Sequence, residues 1–500
     1  MIKRLFTFSA LLLAATSQAL HAASDKPNIL LICVDDLKPN IGCYGDALAK
    51  TPNLDRLAAR GMRFDLAFCN QAVCAPSRNN LLLGSRSTSL GIYNLSDNFR
   101  KAVPDAVTLP QYFKQHGWRA EAIGKILHTG HGNHDDEASW SVPPIKDKVV
   151  EYLDPVNSAN GKLTREEAFF SNQKLGKIRT LPKGAAWENL DVPDNAYADG
   201  RIADAGIRSL QAAKAKPDEP LFLALGFVKP HLPFTAPRQY WEMHDRSAFA
   251  LAQRTTPPDG APEYAGKTLG ELNNYTPIPE NPPLTEDTQR TLIHGYYAAV
   301  SFMDAQLGRV LDELDRLELA QNTIIVLWGD HGWHLGDHGM WTKHTNYEQA
   351  NRIPLFIIAP GVTQPGSHTR QPAETVDVLP TLVELAGLPK HPGPQPLDGT
   401  SLVPVLKDPS VRVRAYATHA FPRQRDGKQV MGRAIRTERY RLVEWKEPGT
   451  APETADLELY DYQEDPLETH NLAESQASVV KELRNLLQEQ PEAARLPKQP

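Results

Sequence analysis

Cysteine is scarce in this chain: four in 500 residues, Cys33, Cys43, Cys69 and Cys74, all within the first fifth. That excludes a small disulfide-stapled scaffold, because such folds spread their bridges widely and a chain this long buries a large core without them. Cys33 sits in an apolar strand pattern and reads as a small buried hydrophobe. Cys43 with Cys69 is a candidate oxidised pair that the sequence leaves open. Positive charge is also short. The 54 basic residues are outnumbered by 60 acidic ones, for a net charge of -6, whereas nucleic-acid binders show a basic excess. Beyond the N-terminus no apolar run is long enough to cross a bilayer, so no transmembrane segment is expected. Internal repeats are absent as well. What is plentiful is proline, 41 residues, gathered in stretches such as "TPIPENPPLTE" and "LPKHPGPQPLDG". These read as ordered surface excursions on a globular body.

The first residues read as an address. "MIKR" is basic, "LFTFSALLLAA" has the length of a signal h-region, and "TSQALHAAS" offers small residues for cleavage. Residues 1–23 are therefore expected to be a signal peptide, with the mature chain exported to the periplasm or the extracellular space. Loss of Lys3 and Arg4 with that segment makes the remainder still more acidic.

Short runs rich in β-branched residues alternate with helical patterns, which predicts an α/β body built on a parallel sheet wrapped by helices. The expected strands are "NILLICV", the run arriving at Lys125, "PLFLALGFV", "NTIIVLWG" and "IPLFIIAPG". Expected helices include "NLDRLAARG", "LPQYFKQHG" and the long amphipathic stretch from "LIHGYY" to "DRLEL". After about residue 408 the texture changes to alternating antiparallel-type strands and a final amphipathic helix. Residues 24–408 thus form the expected catalytic body, and 409–500 a smaller C-terminal α+β subdomain.

Four expected strands end in ionisable clusters: Asp35 with Asp36, Lys125 with His128, Lys229 with His231, and Asp330 with His331. Ligands of α/β sheets bind beyond the carboxyl ends of strands, so four such endings suggest one site. The adjacent carboxylates Asp35 and Asp36 suit either a hard cation or a solvated turn. In "GDHGWHLGDHG" the glycines allow close backbone approach to a ligand, and a surface turn is the alternative. A carboxylate-rich set with one nitrogen fits Ca²⁺ or Mg²⁺ better than zinc. Arg78, Lys125 and Lys343, with His128 and His231, would form an anion clamp if they converge. Cys74 stands beside Arg78 at the mouth of a helix expected from Ser77 to Gly84, with Pro76 in its first turn. A thiolate there would have a lowered pKa and could be a nucleophile. No His–Asn orienting pair supports a cysteine protease, and a thiolate is an odd partner for a hard cation.

"CAPSR" followed by "NNLLLG" resembles the type I sulfatase signature, Cys-x-Pro-Ser-Arg-x-x-apolar-apolar-x-Gly. "VDDLKP", "GKILH", "KPHLPF", "GDHGWHLGDHG", "WTKHTNYE" and "LYDYQEDPLETHNLA" recur in the family's order, and the resemblance is to the iduronate-2-sulfatase branch. It implies an alkaline-phosphatase-like fold, a Cys74 converted to formylglycine by a maturation enzyme, and one Ca²⁺. It further implies that Asp35, Asp36, Asp330 and His331 hold the ion together with the modified Cys74. His331 stands where many sulfatases have Asn, whereas the iduronate branch has His. By the same resemblance Arg78 holds the formylglycine hydrate, Lys125 and His128 contact its hydroxyls and the sulfate, and His231 and Lys343 bind sulfate and assist the leaving group. Leu83 departs from the pattern, which usually has a small or polar residue there. The implied substrate is a sulfated saccharide, a 2-O-sulfated uronate or related unit of a glycosaminoglycan or algal polysaccharide, in a cleft lined by Lys125, Lys343, His231 and Trp333. Two other readings share these features: a phosphoester or phosphonate hydrolase of the same superfamily, and a non-catalytic protein that binds sulfated glycans.

Overall fold

The computed structural model describes residues 26–172, 177–281 and 283–494; the expected signal peptide lies outside these residues. Strands β1 (Asn28–Val34), β2 (Met62–Phe64), β3 (Arg119–Gly124), β4 (Leu221–Phe227), β5 (Thr323–Gly329), β6 (Leu355–Ile358) and β7 (Ser367–Thr369) form one sheet. Their spatial order is β7-β2-β6-β5-β1-β4-β3. The central run β5-β1-β4-β3 is parallel throughout, while β6 runs antiparallel to β5 and to β2. A parallel strand covered on both faces must be apolar along its whole length, which is why "NILLICV" shows no polar alternation.

Helices α1 (Pro52–Ala58), α2 (Cys74–Leu83), α3 (Leu109–Gln115), α4 (Ala198–Lys214), α5 (Glu286–Arg316) and α6 (Val378–Leu385) sandwich the sheet. Alternate residues of each strand divide two cores between them. Leu30, Ile32 and Val34 of β1 pack with Leu223 and Phe227 of β4 against α1, α4 and α5. Ile29, Leu31 and Cys33 face the other way, with Val326 and Trp328, onto α2, α3 and α6. Thr108 and Gln111 form a capping box at the start of α3, and the Thr285 hydroxyl accepts from the Thr288 amide to start α5. Helix α2 opens at Cys74, three residues before the expected start: Val73 is extended, and its carbonyl accepts the first helical bond from the Ser77 amide at 2.9 Å. It stops at Gly84, whose φ of 64° is the left-handed conformation glycine tolerates. Leu83 is buried in the second core, so its departure from the signature serves packing.

All four cysteines are free thiols. Cys43 and Cys69 do not pair: the Cys43 amide donates to Asp55 Oδ1 at 2.6 Å, while Cys69 Sγ lies near Asn351 Oδ1 at 3.7 Å.

Strands β8 (Tyr416–Arg425), β9 (Lys428–Thr437), β10 (Tyr440–Lys446) and β11 (Asp456–Asp461) form an antiparallel sheet in sequence order. Helix α7 (Ala477–Gln488) lays Val480, Leu483 and Leu487 on Ile435, Leu442 and Leu459 of one face. The opposite face, with Val430, Ala434, Val443 and Trp445, packs on Met340 and Tyr347 of the main body. Both layers were legible as alternation, apolar residues going to each face in turn.

Candidate active site

The register brings the strand ends together. Val34 is level with Gly329 and with Phe227, and Gly226 with Gly124. The backbone ladder runs one residue further, with the Asp330 amide on the Val34 carbonyl at 3.1 Å, Asp35 on Phe227 at 3.3 Å and Lys125 on Gly226 at 2.9 Å. Asp35, Asp330 and Lys125 are therefore fixed by main chain before any side chain acts. Gly124 permits this: its φ is +78°, and a Cβ there would lie 2.1 Å from the Gly226 carbonyl oxygen. One residue on, Asp36 has φ 59°, a conformation Asp adopts more readily than most residues. Its amide donates to Asp330 Oδ1 at 2.9 Å and its carbonyl accepts from the Tyr296 hydroxyl at 2.8 Å.

Helix α2 delivers Cys74 and, one turn later on the same side, Arg78. Cys74 Sγ lies 3.2 Å from His331 Nε2. Asp35, Cys74, Asp330 and His331 each offer a ligand atom within 4.8 Å of the others, and so do Asp36, Cys74 and His231. Asp35, Asp36, Asp330 and His331, the other four expected metal ligands, thus meet around the Cys74 sulfur. Arg78 is fully buried and spends its guanidinium as a strut. Nε donates to Asp330 Oδ2 at 3.0 Å, Nη2 to Asp35 Oδ1 at 2.9 Å, and Nη1 to the carbonyls of Lys125 and Ile126.

Burial dominates the electrostatics, and partner count decides each outcome. Burial alone would raise Asp35, but Lys125 and Arg78 both donate to it and hold it well below the usual carboxylate range. Burial and then the Asp35 charge push Asp330 well above that range, against Arg78. Asp36 is lifted to about 7 by burial, with Lys343 opposing. Three buried acids crowd one small space, and an oxygen-rich set of this kind suits a divalent cation. Burial pushes the Cys74 thiol well above its ordinary value, with Lys125 and Lys343 opposing. The expectation of a lowered thiol pKa is thereby corrected: desolvation outweighs the nearby cations and the helix terminus.

Around this floor stand the remaining expected residues. Lys343 Nζ donates to both oxygens of Asp36, at 2.9 and 3.1 Å. His231 Nδ1 faces the Leu232 carbonyl at 2.5 Å, leaving Nε2 toward the cavity, and His128 Nε2 meets His131 Nδ1 at 3.0 Å. Burial holds both His128 and His231 well below the ordinary histidine value, helped most by Lys125 and Lys343 respectively. Lys229 turns away and donates to the carbonyls of His231 and Pro233 at 2.8 and 2.7 Å, so it shapes the loop that carries His231. Of the histidines in "GDHGWHLGDHG", only His331 reaches the site. His334 bonds Thr345 and His338 bonds the Leu467 carbonyl. Trp333 does not line the cleft: it is 1% exposed and lies under Lys343, 5.4 Å from its ammonium.

A cavity of 210 Å³ opens over Cys74, His128, His231 and Lys343, and its wall adds Glu166 and Glu271. It shares Leu95, His131, Phe169, Lys267 and His344 with an outer cavity of 730 Å³. Neither Glu166 nor Glu271 carried a site signal in the sequence: Glu271 is a lone acid in a loop-rich stretch, and Glu166 lies in the helix Arg165–Phe170, where the Thr164–Glu167 capping box marks only a helix start.

The antiparallel sheet grips the Lys343 segment from behind. Arg423 donates to the His344 carbonyl and Arg441 to the Asn346 carbonyl, while Asn346 Nδ2 donates to the Gly432 carbonyl at 3.0 Å. Arg441 also pairs with Glu468 at 2.6 Å, both buried. Arg441→Met should destabilise the protein by about 3 kcal/mol or more, because it strands a buried carboxylate. Adding Glu468→Gln should restore most of that loss in urea unfolding while leaving kcat low, since the hold on Asn346 is still gone. Full recovery of kcat in the double variant would mean that the sheet does not position Lys343.

Comparisons with known proteins follow the same residues. The Sulfatase family model matches residues 27–388, and a model described as N-sulphoglucosamine sulphohydrolase, C-terminal, matches residues 336–493. Iduronate 2-sulfatase of Mus musculus is 34% identical over 90% of this chain and 92% of its own length. The fold resembles that of BT4656, solved in complex with its substrate D-glucosamine-2-N,6-O-disulfate, at a TM-score of 0.69 and 22% identity over 93% of this chain and 97% of that one. It resembles equally that of a phosphonate monoester hydrolase from Silicibacter pomeroyi, with TM-score 0.69, 21% identity, and 93% and 94% coverage. Fold alone therefore does not separate the chemistries. The sequence match does, because it spans every strand end and the helix bearing Cys74: the chain belongs to the sulfatase family and is a sulfuric ester hydrolase.

Proposed function

We propose that this protein is an exported hydrolase of O-sulfate esters on saccharides, acting on a 2-O-sulfated uronate or a related unit of a glycosaminoglycan or algal polysaccharide. The observation that carries this reading is the meeting of Cys74 with Asp35, Asp330 and His331 within 4.8 Å, beneath a cavity walled by His128, His231 and Lys343. The mouse relative's name supports the uronate, and the outer cavity has room for further sugar units. The signal-like first 23 residues support export. No helix among the described residues is long and apolar enough to cross a membrane.

Asp35, Asp36, Asp330 and His331, with the modified Cys74, would hold one Ca²⁺, which would neutralise sulfate charge and orient the nucleophile. A raised thiol pKa makes unmodified Cys74 a poor nucleophile, so its conversion to formylglycine by a maturation enzyme fits the site better than direct thiolate attack. Arg78 locks Asp35 and Asp330 at fixed separation, so the site needs no reorganisation as charge develops. Lys125 and Lys343 place positive charge beside the sulfate oxygens. His128, kept neutral by burial, is the candidate base for the Cys74-derived hydroxyl. Lys343 is held well above its ordinary value despite burial, by Asp36 first, and so retains its proton. Neutral His231 directs its Nδ1–H at the Leu232 carbonyl and presents a lone pair at Nε2, so Lys343 is the proton donor to the departing sugar oxygen.

The donor set argues against a phosphoester hydrolase with two zinc ions, because among the clustered ligands carboxylates outnumber histidines. The deciding experiment is sulfate release from 2-O-sulfated uronate disaccharides, beside a panel of algal oligosaccharides, using protein coexpressed with a formylglycine-generating enzyme. Release from the uronate is expected. Release confined to the algal panel would move the specificity, and silence on both with Cys74 converted would overturn the substrate.

A further inference from the structure

Glu271 occupies an unusual place. It sits on the one-turn segment Gly270–Asn274, and its carboxylate bridges the two groups an incoming anion needs. Oε2 lies 3.0 Å from Lys343 Nζ and Oε1 3.4 Å from His231 Nε2. Its side chain is 13% exposed, against 2% for each of those partners, so it stands on their outward side in the wall of the inner cavity. Oε1 is buried and accepts no hydrogen bond. The turn is docked tightly: a Cβ on Gly270 would lie 2.2 Å from Thr342 Oγ1, next to Lys343. The charge of Glu271 is also felt across the cavity, since burial and then Glu271 lift Glu166 to about 8.

A fixed negative charge in an anion pocket weakens binding in proportion to the charge that enters. A sulfate monoester brings one negative charge and a phosphate monoester two, at nearly the same size. We propose that Glu271 is a specificity-determining residue: it admits singly charged sulfate esters to the Lys343–His231 pair and penalises doubly charged phosphate esters. This rests on the sulfatase reading of the site, and it supplies the discrimination that the shared fold does not.

The test is calorimetric titration of methyl sulfate and methyl phosphate into the full mature chain with calcium present. It is done in a Cys74→Ala background to prevent turnover, at about pH 8, where the phosphate ester is doubly charged. Glu271→Gln should strengthen methyl phosphate binding about tenfold and methyl sulfate binding about threefold, the first being roughly the square of the second. Glu271→Asp should keep the parent's ratio. Equal gains for both ligands, no gain, or a joint loss would overturn the proposal, because a steric or purely structural role does not depend on ligand charge. Sulfate release by the unsubstituted, converted protein is measured in parallel. Release with an unshifted ratio defeats Glu271 alone, while a shifted ratio without any release defeats the sulfatase reading and leaves the charge selection standing.

Discussion

Cys74→Ala is expected to abolish sulfate release, by about 10⁵-fold or more, while leaving the fold intact. Both halves follow from where the residue sits. The sulfur is the one atom shared by the two ligand clusters, and everything around it is arranged to use a nucleophile at that point. Every other group in the site holds charge or moves a proton, and none offers a substitute. Removing one sulfur from the end of α2 leaves a cavity smaller than a methylene chain would, and the helix keeps its Ser77 contact to the Asp330 carbonyl at 2.5 Å. The stability cost should therefore be about 1 kcal/mol. Ion chromatography of released sulfate and urea unfolding check the two halves separately. Residual turnover in the folded alanine variant would sink the covalent mechanism. Cys74→Ser should be inactive too, unless the host converts serine.

Asp330→Asn should separate charge from shape. Burial and the Asp35 charge push Asp330 well above the carboxylate range, so an uncharged side chain there should cost the metal-free protein little. Metal-free variant and parent should then unfold within about 1 kcal/mol of each other. Calcium should stabilise the parent, by about 2.7 kcal/mol at a hundred times its dissociation constant, and the variant far less. Sulfate release should fall about 10³-fold, the scale of losing one pre-organised charged group. Thermal unfolding with and without a chelator reads the first two effects. Equal stabilisation of both proteins by calcium would remove Asp330 from the ligand set. A metal-free variant weakened by several kcal/mol would show instead that Asp330 is ionised in its pair with Arg78.

Much of this protein was legible in advance because the relevant information is local and periodic. Six unbroken apolar residues, Ile29 to Val34, followed by two aspartates specify a buried parallel strand with its functional end marked, and β1 is that strand. The same pattern recurs before Lys229 and Asp330, and the sheet-edge strand RAEAIG, which alternates polar and apolar residues, arrives at Lys125, so the convergence of four strand ends could be inferred without knowing their order. Period-two alternation after residue 408 likewise identified the antiparallel sheet. The errors were also local: α2 starts earlier than its proline suggests, and Trp333 is core, because neither the extended backbone of Val73 nor burial of a single aromatic leaves a mark in the sequence.

What only the tertiary structure decided is the allocation of charge. Asp35 and Asp330 are equivalent by sequence, each closing an apolar strand, yet they are driven in opposite directions. The reason is that Lys125 and Arg78 both reach Asp35, while Asp330 has Arg78 alone and the Asp35 charge beside it. Those partners come from residues 43 to 295 positions apart in the chain, brought together by the order β5-β1-β4-β3. Glu271 was invisible for the same reason. A lone acid in a loop acquires meaning only when folding sets it 3.0 Å from Lys343, since electrostatic energy depends on distance in space and on burial, and sequence encodes neither directly.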